Sequence, residues 1–455
     1  MLCMSISLFS LGQYNMGLSN SNYSGIQGAL LNPSSIAGSR IKWDINVFTL
    51  DVNFDNNFVY VPKGAVPAFG FGSLLKGIVN EDKFATNYDP NNPNKKYNFV
   101  VTNELLGPSF QFQINDSMAV GFSIANRMVS NIRDIPGATA QNAYAHLQES
   151  SLFNTPLSDQ SSRLNSMDWL EYALHYAVVL RDDGMNKWKA GVSLKYLQGI
   201  AAAYVTNTHI NYSISDTTAI SFGQTSVDYG RTDYNSLKDG HLNHGHGWGA
   251  DIGLTFIHAN DTKKDDDYQY KIGLSLMDLG SLNFNRNSAA FHLQGDNVTY
   301  ANWHRDVMAN NAQVDRTLSA LFYEGDSSAS QTAAGFKMGL PTALSIQADW
   351  KIRDHFFANA TIVKGFGHGD NPGVRQPDIY AVAPRYESKW WDVSLPLSLI
   401  YYGNLKPRVG IAARYAFFFF GGDAPFPLLA LGKMSGVDFY AGIRVFMLKN
   451  KYKSN

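Results

Sequence analysis

The sequence predicts an all-β fold, a transmembrane antiparallel β-barrel of about 14 strands, from three observations. Apolar and polar residues alternate in segments of about ten residues, the length that a tilted strand needs to cross a bilayer. Aromatic residues make up 13% of the 455 residues and charged residues only 16%, against about 25% in soluble domains. No apolar stretch reaches about 18 residues, which argues against helical membrane spans.

Composition also narrows the function classes. The 37 basic and 38 acidic residues nearly cancel, whereas a nucleic-acid-binding protein would carry a basic excess. The single cysteine excludes a disulfide scaffold and a zinc site built from cysteines. Because there is no linker, charge block or low-complexity tract, residues 41–455 are predicted to form one barrel domain.

The N-terminus has the pattern of an export signal. Residues 2–12 are apolar and end in the small residues Ser10 and Gly12, which suit a signal-peptide core and its cleavage site. We therefore expect residues 1–12 to be the remnant of a signal peptide, although no Lys or Arg precedes the apolar run. A short buried strand is the alternative.

The alternating segments present one apolar face and one small or polar face. They include residues 188–196, 249–256, 344–352, 408–419 and 437–447. In a soluble sandwich the apolar face would form the core, whereas in a membrane barrel it meets lipid and the polar face lines the lumen. The export signal, the strand length and the aromatic residues near strand ends favour the barrel over a soluble exported β-protein.

The first strand changes phase along its length. Apolar residues occupy odd positions at Ile41, Trp43, Ile45 and Val47, and even positions from Phe48 onward. A β-bulge near Val47 and Phe48 would restore the two faces. Two shorter strands are the alternative.

Charged residues on the polar face of the strands are predicted to line the lumen. They are Lys189, Lys195, Asp349, Lys351, Asp392, Arg408, Arg414, Asp438 and Arg444. Such a lining could set selectivity or hold a plug, and the alternative is a set of internal salt bridges that braces a closed lumen. Arg414 and Arg444 need acidic partners, for which Asp392 and Asp438 are the nearest candidates in sequence.

Residues 32–37, which read NPSSIA, precede the first strand. This segment is similar to the Asn-Pro-Ala-(Gly/Ala)-(Leu/Met)-Ala motif near the mature N-terminus of FadL-type outer-membrane transporters and of the shuttle barrels of type IX secretion. Here Ser34 stands in place of the usual Ala. Residues 105–116, 195–205 and 432–445 resemble a large family of Bacteroidota outer-membrane barrels without an assigned function.

The resemblance implies a location in the cell outer membrane and a plug that the N-terminal segment forms inside the lumen. Carried over to this chain, residues 13–40 would form the plug. Its motif residues would be Asn32, Pro33, Ser34, Ile36 and Ala37. The composition agrees, because this stretch is rich in Gly, Ser and Asn and can satisfy its backbone against a polar lumen. A mobile N-terminal tail is the alternative.

The sequence offers only weak candidates for a metal site or a catalytic site. His241, His244 and His246 are the candidates for a metal site, but their spacing matches no established motif, so no metal and no cofactor are predicted. No Gly-x-Ser-x-Gly is present, and Glu171 and His175 would lie about 13 Å apart along one strand face. We therefore predict that the protein is not an enzyme.

Two functions from different classes fit these observations. The first is a FadL-like channel for small apolar molecules, in which cargo enters between the loops and movement of the plug opens a passive route. The second is a non-transporting barrel that docks or carries a component of a secretion or surface-motility machine. The expected partners are outer-membrane lipid and either a hydrophobic small molecule or a secretion or motility protein, with no nucleic acid.

Overall fold

The computed structural model describes residues 16–62, 84–260, 268–301, 311–424 and 435–450. The expected signal-peptide remnant, residues 1–12, lies outside these ranges. Of the helices within them, none is both long enough and apolar enough to span a membrane.

Fourteen antiparallel strands form one closed barrel, which confirms the predicted fold class and strand number. The barrel closes because the first strand pairs with the last, from Ile41 opposite Leu448 to Asp55 opposite Gly436. In chain order the strands, four of them with a short break, are β1 (Ile41–Asn56), β2 (Lys96–Leu106 and Ser109–Gln113), β3 (Met118–Pro136), β4 (Arg163–Asp182), β5 (Asn186–Ile214), β6 (Gly245–Ala259), β7 (Tyr268–Phe284), β8 (Phe336–Gly339 and Ala343–Arg353), β9 (Phe356–Gly365), β10 (Asp378–Glu387), β11 (Trp391–Ser394 and Leu397–Tyr401), β12 (Leu405–Val409 and Ile411–Tyr415), β13 (Phe418–Ala424) and β14 (Gly436–Leu448).

The two ends of the barrel differ in the length of their connections. The end at which Ile41 and Leu448 lie, called the terminal end, has short connections at 114–117, 183–185, 260–267, 354–355, 388–390 and 416–417. The opposite end, called the loop end, has longer ones, above all 57–95, 137–162, 215–244 and 285–335. This alternation gives the direction of every strand, which the sequence left open.

Short elements occupy the lumen and the loop end. The helices are α1 (Ile26–Leu31), α2 (Gly137–Tyr144), α3 (Tyr234–Lys238) and α4 (Asn311–Phe322), with 3-10 turns at Pro33–Ile36 and Ser150–Leu152. The short strands are Val59–Tyr60, Ala85–Thr86, Leu157–Asp159, Ile220–Thr232, Ser288–Gly295, Val298–Tyr300 and Gln331–Ala333.

Strand β5 shows how the two faces of the wall differ. Trp188, Val192 and Leu194 are exposed on its outer face, while Lys189 and Lys195 are buried on its inner face. The same pattern recurs around the barrel, with exposed apolar residues such as Phe112, Leu174, Ile252, Leu274, Ile346, Val382, Leu399 and Ile411. The apolar side chains therefore form an outer belt, as expected of a barrel that meets lipid, and not the core of a soluble sandwich.

The phase change in β1 is a β-bulge. Val47 and Phe48 are consecutive and yet both exposed, at 45% and 40%. The pairing with β14 shifts register between Asn46 and Phe48, so Val47 is the extra residue. The predicted bulge is confirmed, and β1 is one continuous strand rather than two.

Strand β5 continues beyond the barrel into an extension at the loop end. It has 29 residues, and its distal part pairs with strand Ile220–Thr232, which pairs in turn with strand Ser288–Gly295. Helix α4 is tied to this extension because Asp315 accepts hydrogen bonds from Tyr229 Oη at 3.2 Å and from Arg231 Nε at 3.0 Å. Burial, followed by the nearby Asp315 carboxylate, raises the pKa of Tyr229.

The outer belt predicts how a new charge affects stability. Leu194→Arg would place a guanidinium in the belt and should lower the free energy of unfolding by about 2–4 kcal/mol in lipid vesicles. Leu242→Arg is the matched control, because Leu242 is equally exposed (54% against 52%) but lies in the 215–244 connection. Urea titration followed by the mobility difference between unboiled and boiled samples measures both, and equal effects would contradict the belt.

Candidate functional site

The Asn-Pro motif builds its own local structure. Asn32 ends α1 and precedes the 3-10 turn Pro33–Ile36. Its Oδ1 accepts hydrogen bonds from the backbone N–H and the Oγ of Ser34, at 3.1 and 2.7 Å. Asparagine suits this capping position, and proline suits the first helical position because it has no N–H to satisfy.

The motif also bonds to the inner face of the barrel. Asn32 Nδ2 donates to Leu254 O of β6 at 3.2 Å and to Gln347 Oε1 of β8 at 3.0 Å. Ser34 Oγ lies 2.7 Å from Thr255 Oγ1 of β6. The motif is therefore held by two strands that are far from it in the chain.

Glycines on the inner face make room for the motif. A Cβ atom at Gly191 of β5 would overlap the backbone of Pro33 and Ser34, and one at Gly253 of β6 would overlap the Asn32 side chain. The alternation placed both glycines on the polar face. Only the structure shows that their lack of a side chain admits the motif.

Wall side chains also hold the chain before the motif. Asn22 donates from its backbone N–H and its Nδ2 to Glu387 of β10, at 3.1 and 2.7 Å. The N–H of Ile26 donates to Asp44 of β1 at 2.8 Å, and Arg444 of β14 donates to two carbonyl oxygens of the segment. Residues 16–40, called the N-terminal segment, thus bond to several sides of the lumen. Their action as a plug stays a prediction.

Of the nine charged residues predicted to line the lumen, eight are buried. They are Lys189, Lys195, Asp349, Asp392, Arg408, Arg414, Asp438 and Arg444. Lys351 differs, because it lies near the terminal end of β8 and is only partly buried, with Asp354 at 2.7 Å.

Two of the predicted arginines, Arg414 and Arg444, pair with aspartates on neighbouring strands. Arg414 pairs with Asp392 at 2.8 Å, on strands that are neighbours in the sheet. Arg444 pairs with an aspartate that the sequence did not suggest. Its Nε lies 3.4 Å from Asp44 of β1. The closure of the barrel, which brings β1 beside β14, supplies this partner.

Three more of the predicted residues belong to ion pairs within the lumen. Asp349 pairs with Arg385 at 2.7 Å. Arg408 pairs with Asp55 at 2.9 Å and lies 3.9 Å from Asp438. These contacts have the form of internal salt bridges, the alternative considered for the lumen charges.

Six charged side chains, one from each of the strands β2 to β7, meet within the lumen. This ionic layer consists of Glu104, Arg127, Glu171, Lys195, Asp251 and Asp278. Arg127 makes two hydrogen bonds to Asp278, at 2.7 and 2.8 Å. Lys195 Nζ lies 2.7 Å from Asp278 and 2.9 Å from Asp251. The pairing lets four carboxylates and two cations share a site with little access to water.

Of this layer, only Lys195 is among the nine charged residues that the sequence predicted to line the lumen. Asp278 was missed because it lies at a β-bulge with φ of 55°, where alternation fails. Arg127 was missed because the residue before it, Asn126, is also polar, so the two faces of the strand differ little in polarity there. Glu171 was expected on the same strand face as His175, but its ionic partners lie on other strands and were not predictable.

Buried apolar side chains, mainly from β3, β4, β5, β7 and β8, pack together on the loop-end side of the ionic layer. This apolar layer consists of Val129, Met167, Trp169, Leu197, Ala202, Tyr204, Leu282, Phe284, Met338, Leu340 and Val374, with Phe336 packed against them. Trp169 joins the two layers, because its Nε1 donates to Glu171 at 3.4 Å and Arg127 lies 5.1 Å from the centre of its ring.

The lumen has a different character at the terminal end. A cavity of about 140 Å³, called the terminal cavity, lies between the N-terminal segment and the inner face of the wall. Polar and charged side chains such as Gln111, Lys189 and Lys271 line it. Along the inner face of β5 the order is therefore Lys189 at the cavity, Gly191 at the motif, Lys195 in the ionic layer and Leu197 in the apolar layer.

The three histidines considered for a metal site lie at the loop end. His244 is buried, with its Nε2 2.9 Å from Ser236 Oγ, while His241 and His246 are exposed. Within the described ranges, no group of three or more His, Cys, Asp or Glu side chains is arranged to hold a metal ion.

His175 lies within the lumen, on the inner face of β4. Its Nε2 is 2.9 Å from Ser123 Oγ and its Nδ1 is 2.8 Å from Ser193 Oγ. Glu171, four residues away on the same face, instead pairs with Arg127 at 3.0 Å. The imidazole therefore bridges β3 and β5, the two strands that flank β4 in the sheet.

The ionic layer predicts a large effect of one substitution. Lys195→Met would remove the cation that pairs with Asp251 and leave Asp278 with Arg127 alone, and should lower the free energy of unfolding by about 3–5 kcal/mol. Lys187→Met on the same strand is the control, because Lys187 pairs with the partly exposed Asp182 and should cost at most about 1 kcal/mol. Urea unfolding of both variants compares them, and equal losses would show that the layer is not a special determinant of stability.

The glycine contacts predict that Gly191→Val displaces the motif. The new side chain would overlap Pro33 and Ser34, so amide hydrogen exchange of residues 26–37 should become faster while the barrel stays folded. Ala190→Val, which adds bulk at the neighbouring outward position, should leave the exchange unchanged. Protection that survives in Gly191→Val would rule out this packing of the segment.

The chain belongs to a protein family of unknown function, DUF5723, whose model matches residues 33–423. The search of curated proteins gave no match. Among solved structures, the chain is similar to a deltaS2 mutant of the TodX monoaromatic hydrocarbon channel, with 10% identity, 94% of this chain and 95% of the other covered, and a TM-score of 0.46.

Two further solved structures have similar sequence identities, coverages and TM-scores. A FadL homologue from Pseudomonas aeruginosa is 11% identical, with 96% of this chain and 97% of the other covered and a TM-score of 0.44. The toluene transporter TbuX from Ralstonia pickettii is 11% identical, with 97% and 100% covered and a TM-score of 0.43.

Proposed function

We propose that this protein is an outer-membrane channel of the FadL-like type that passes small apolar molecules, with residues 13–40 as its plug. The observation that carries the proposal is the apolar layer inside the loop end of the barrel, which borders the ionic layer. A water-filled pore would line this part of the lumen with polar groups. An apolar lining instead suits cargo that leaves water on entering.

The outer surface supports a membrane location. The outer belt of exposed apolar side chains also contains aromatic residues, such as Trp188 and Trp248 on two neighbouring strands. Aromatic rings of this kind favour the level of lipid headgroups. A closed antiparallel barrel also leaves no unpaired strand edge in lipid. The outer membrane is the proposed location, because it is where bacterial barrels of this architecture reside.

The N-terminal segment is connected to an irregular part of the wall, which suggests how a plug could act. Strand β2 is interrupted beside the β1 bulge, and Asn46 Nδ2 donates to Gly107 O there at 3.2 Å. Thr49 Oγ1 donates to Asn46 Oδ1 at 2.7 Å and accepts from Gln27 Nε2 of the segment at 2.8 Å. Movement of the segment would loosen this chain of bonds, so plug and wall would open together.

A second candidate is a sealed barrel that docks a component of a secretion or surface-motility machine. The loop-end extension favours it, because strand Ile220–Thr232, strand Ser288–Gly295 and helix α4 build a structured surface beyond the barrel. Passive transport does not require such a surface. Docking does not require an apolar layer in the lumen, so the two candidates depend on different parts of the chain.

Uptake of a labelled hydrocarbon tests the channel. Cells that carry the protein in their outer membrane should take up toluene severalfold faster than cells without it, and glucose at an unchanged rate. Gly191→Val should raise the toluene rate further because it displaces the motif, and Ala190→Val should match the wild type. Toluene uptake equal to that of cells without the protein, in the wild type and in Gly191→Val, would reject the channel and favour docking.

A further inference from the structure

The connection between β9 and β10, residues 366–377, is called the strap. It is longer than the roughly 2–5 residues that a hairpin needs. Its middle, residues 369–371, is polar and exposed, whereas Val374 is fully buried as a member of the apolar layer. The strap therefore has one side towards water and one apolar side chain within the barrel, as expected of a segment that covers a site.

The strap joins opposite walls of the barrel at the loop end. In a closed barrel of fourteen strands, β3 and β10 are about seven strands apart in either direction and face each other across the lumen. Asn131 of β3 nevertheless donates from Nδ2 to Arg375 O of the strap at 3.1 Å and accepts from the Arg375 N–H at 2.6 Å. Asn165 of β4 accepts from the N–H of Gly373 at 3.3 Å. The strap thus closes the distance between the two walls.

Asn131 and Asn165 act together and are called the clamp. They are direct cross-strand partners on β3 and β4, so their side chains lie side by side. The amide of Asn131 offers one donor and one acceptor to the strap backbone, as a neighbouring strand would. Arg163 of β4 adds hydrogen bonds to Gly369 O and to Asp370, but this ion pair is exposed and contributes little. The clamp is therefore the main attachment to the far wall.

The strap is attached more firmly on its own side of the barrel. Pro372 O accepts from the N–H of Gly339 in β8 at 3.0 Å, and the N–H of Val374 donates to Gly339 O at 3.2 Å. Near its end, Arg375 Nη2 donates to the buried Asp378 of β10 at 3.0 Å. The far side of the strap can therefore detach while the near side stays in place.

We propose that the strap is the entry gate of the channel, an inference that rests on the proposed passage of apolar molecules. In the closed arrangement, Val374 completes the apolar layer and the strap backbone lies across the approach to it. Release of the clamp lifts the far side of the strap and uncovers the apolar layer. Water replaces the few hydrogen bonds of the clamp on opening, so their loss costs little.

The gate and the plug act at different places. The strap meets the apolar layer on the loop-end side of the ionic layer, whereas the Asn-Pro motif lies against Gly191 and Gly253 on its terminal side. A molecule that enters from the loop end would meet the strap first. The strap therefore controls access to the apolar layer, and the plug controls the route beyond it.

Covalent closure of the strap tests the gate. Arg163→Cys and Asp370→Cys, combined with Cys3→Ser, place two thiols at an exposed contact between strap and far wall, where a bifunctional methanethiosulfonate can join them. Cells that carry the joined barrel should take up toluene no faster than cells without the protein, and reduction should restore the rate. Each single-cysteine variant, treated with the same reagent, should keep its rate.

Removal of the clamp is the opposite test. The double variant Asn131→Ala and Asn165→Ala should take up toluene severalfold faster than the wild type, because the far side of the strap is released. Asn283→Ala is the control, since Asn283 is exposed at the loop end of β7, and it should match the wild type. The mobility difference between unboiled and boiled samples verifies folding. A folded double variant with the wild-type rate contradicts the clamp as the latch of the gate.

The outcomes separate the gate from the channel. Loss of toluene uptake on cross-linking, with recovery on reduction, supports both. Uptake that is above that of cells without the protein and is unchanged by cross-linking overturns the gate and leaves the channel standing. Wild-type uptake equal to that of cells without the protein overturns the channel and the gate together.

Discussion

The inner wall of the barrel is rich in charge, and the need to pair that charge determines the rest of the lumen. An ion without a partner in such a place costs several kcal/mol, so each inward cation must meet a carboxylate or a backbone carbonyl. The ionic layer meets this need with one side chain from each of six consecutive strands. Arg444 meets it with Asp44 and with carbonyl oxygens of the N-terminal segment.

The features of the lumen follow one another in order from the loop end to the terminal end. The apolar layer packs towards the loop end, the ionic layer follows, the Asn-Pro motif lies against the wall glycines, and the terminal cavity is at the other end. An apolar molecule would enter at the loop end, where water is excluded, whereas polar and charged side chains line the terminal cavity. The ionic layer separates the two regions.

Prediction from sequence succeeded where the signal is local. The bulge in β1 was predictable because Val47 and Phe48 break a period of two within one strand. The burial of Arg414 followed from the same period. Asp278 was not predictable, since its bulge removes the alternation that would have placed it on the inner face. Gly191 and Gly253 could be assigned to a face but not to a role, because their role depends on a segment more than 150 residues away in the chain.

The sequence by itself determined the fold class, the approximate number of strands and the apolar face of the alternating segments, because side-chain direction in a strand alternates with every residue and can be read over ten positions. The tertiary structure alone decided which charges meet. Closure of the barrel brings Asp44 to Arg444, and it brings Asn32 to Gln347, 315 positions away. Such contacts depend on the register of strands around a closed sheet, a global property that no window of the sequence contains.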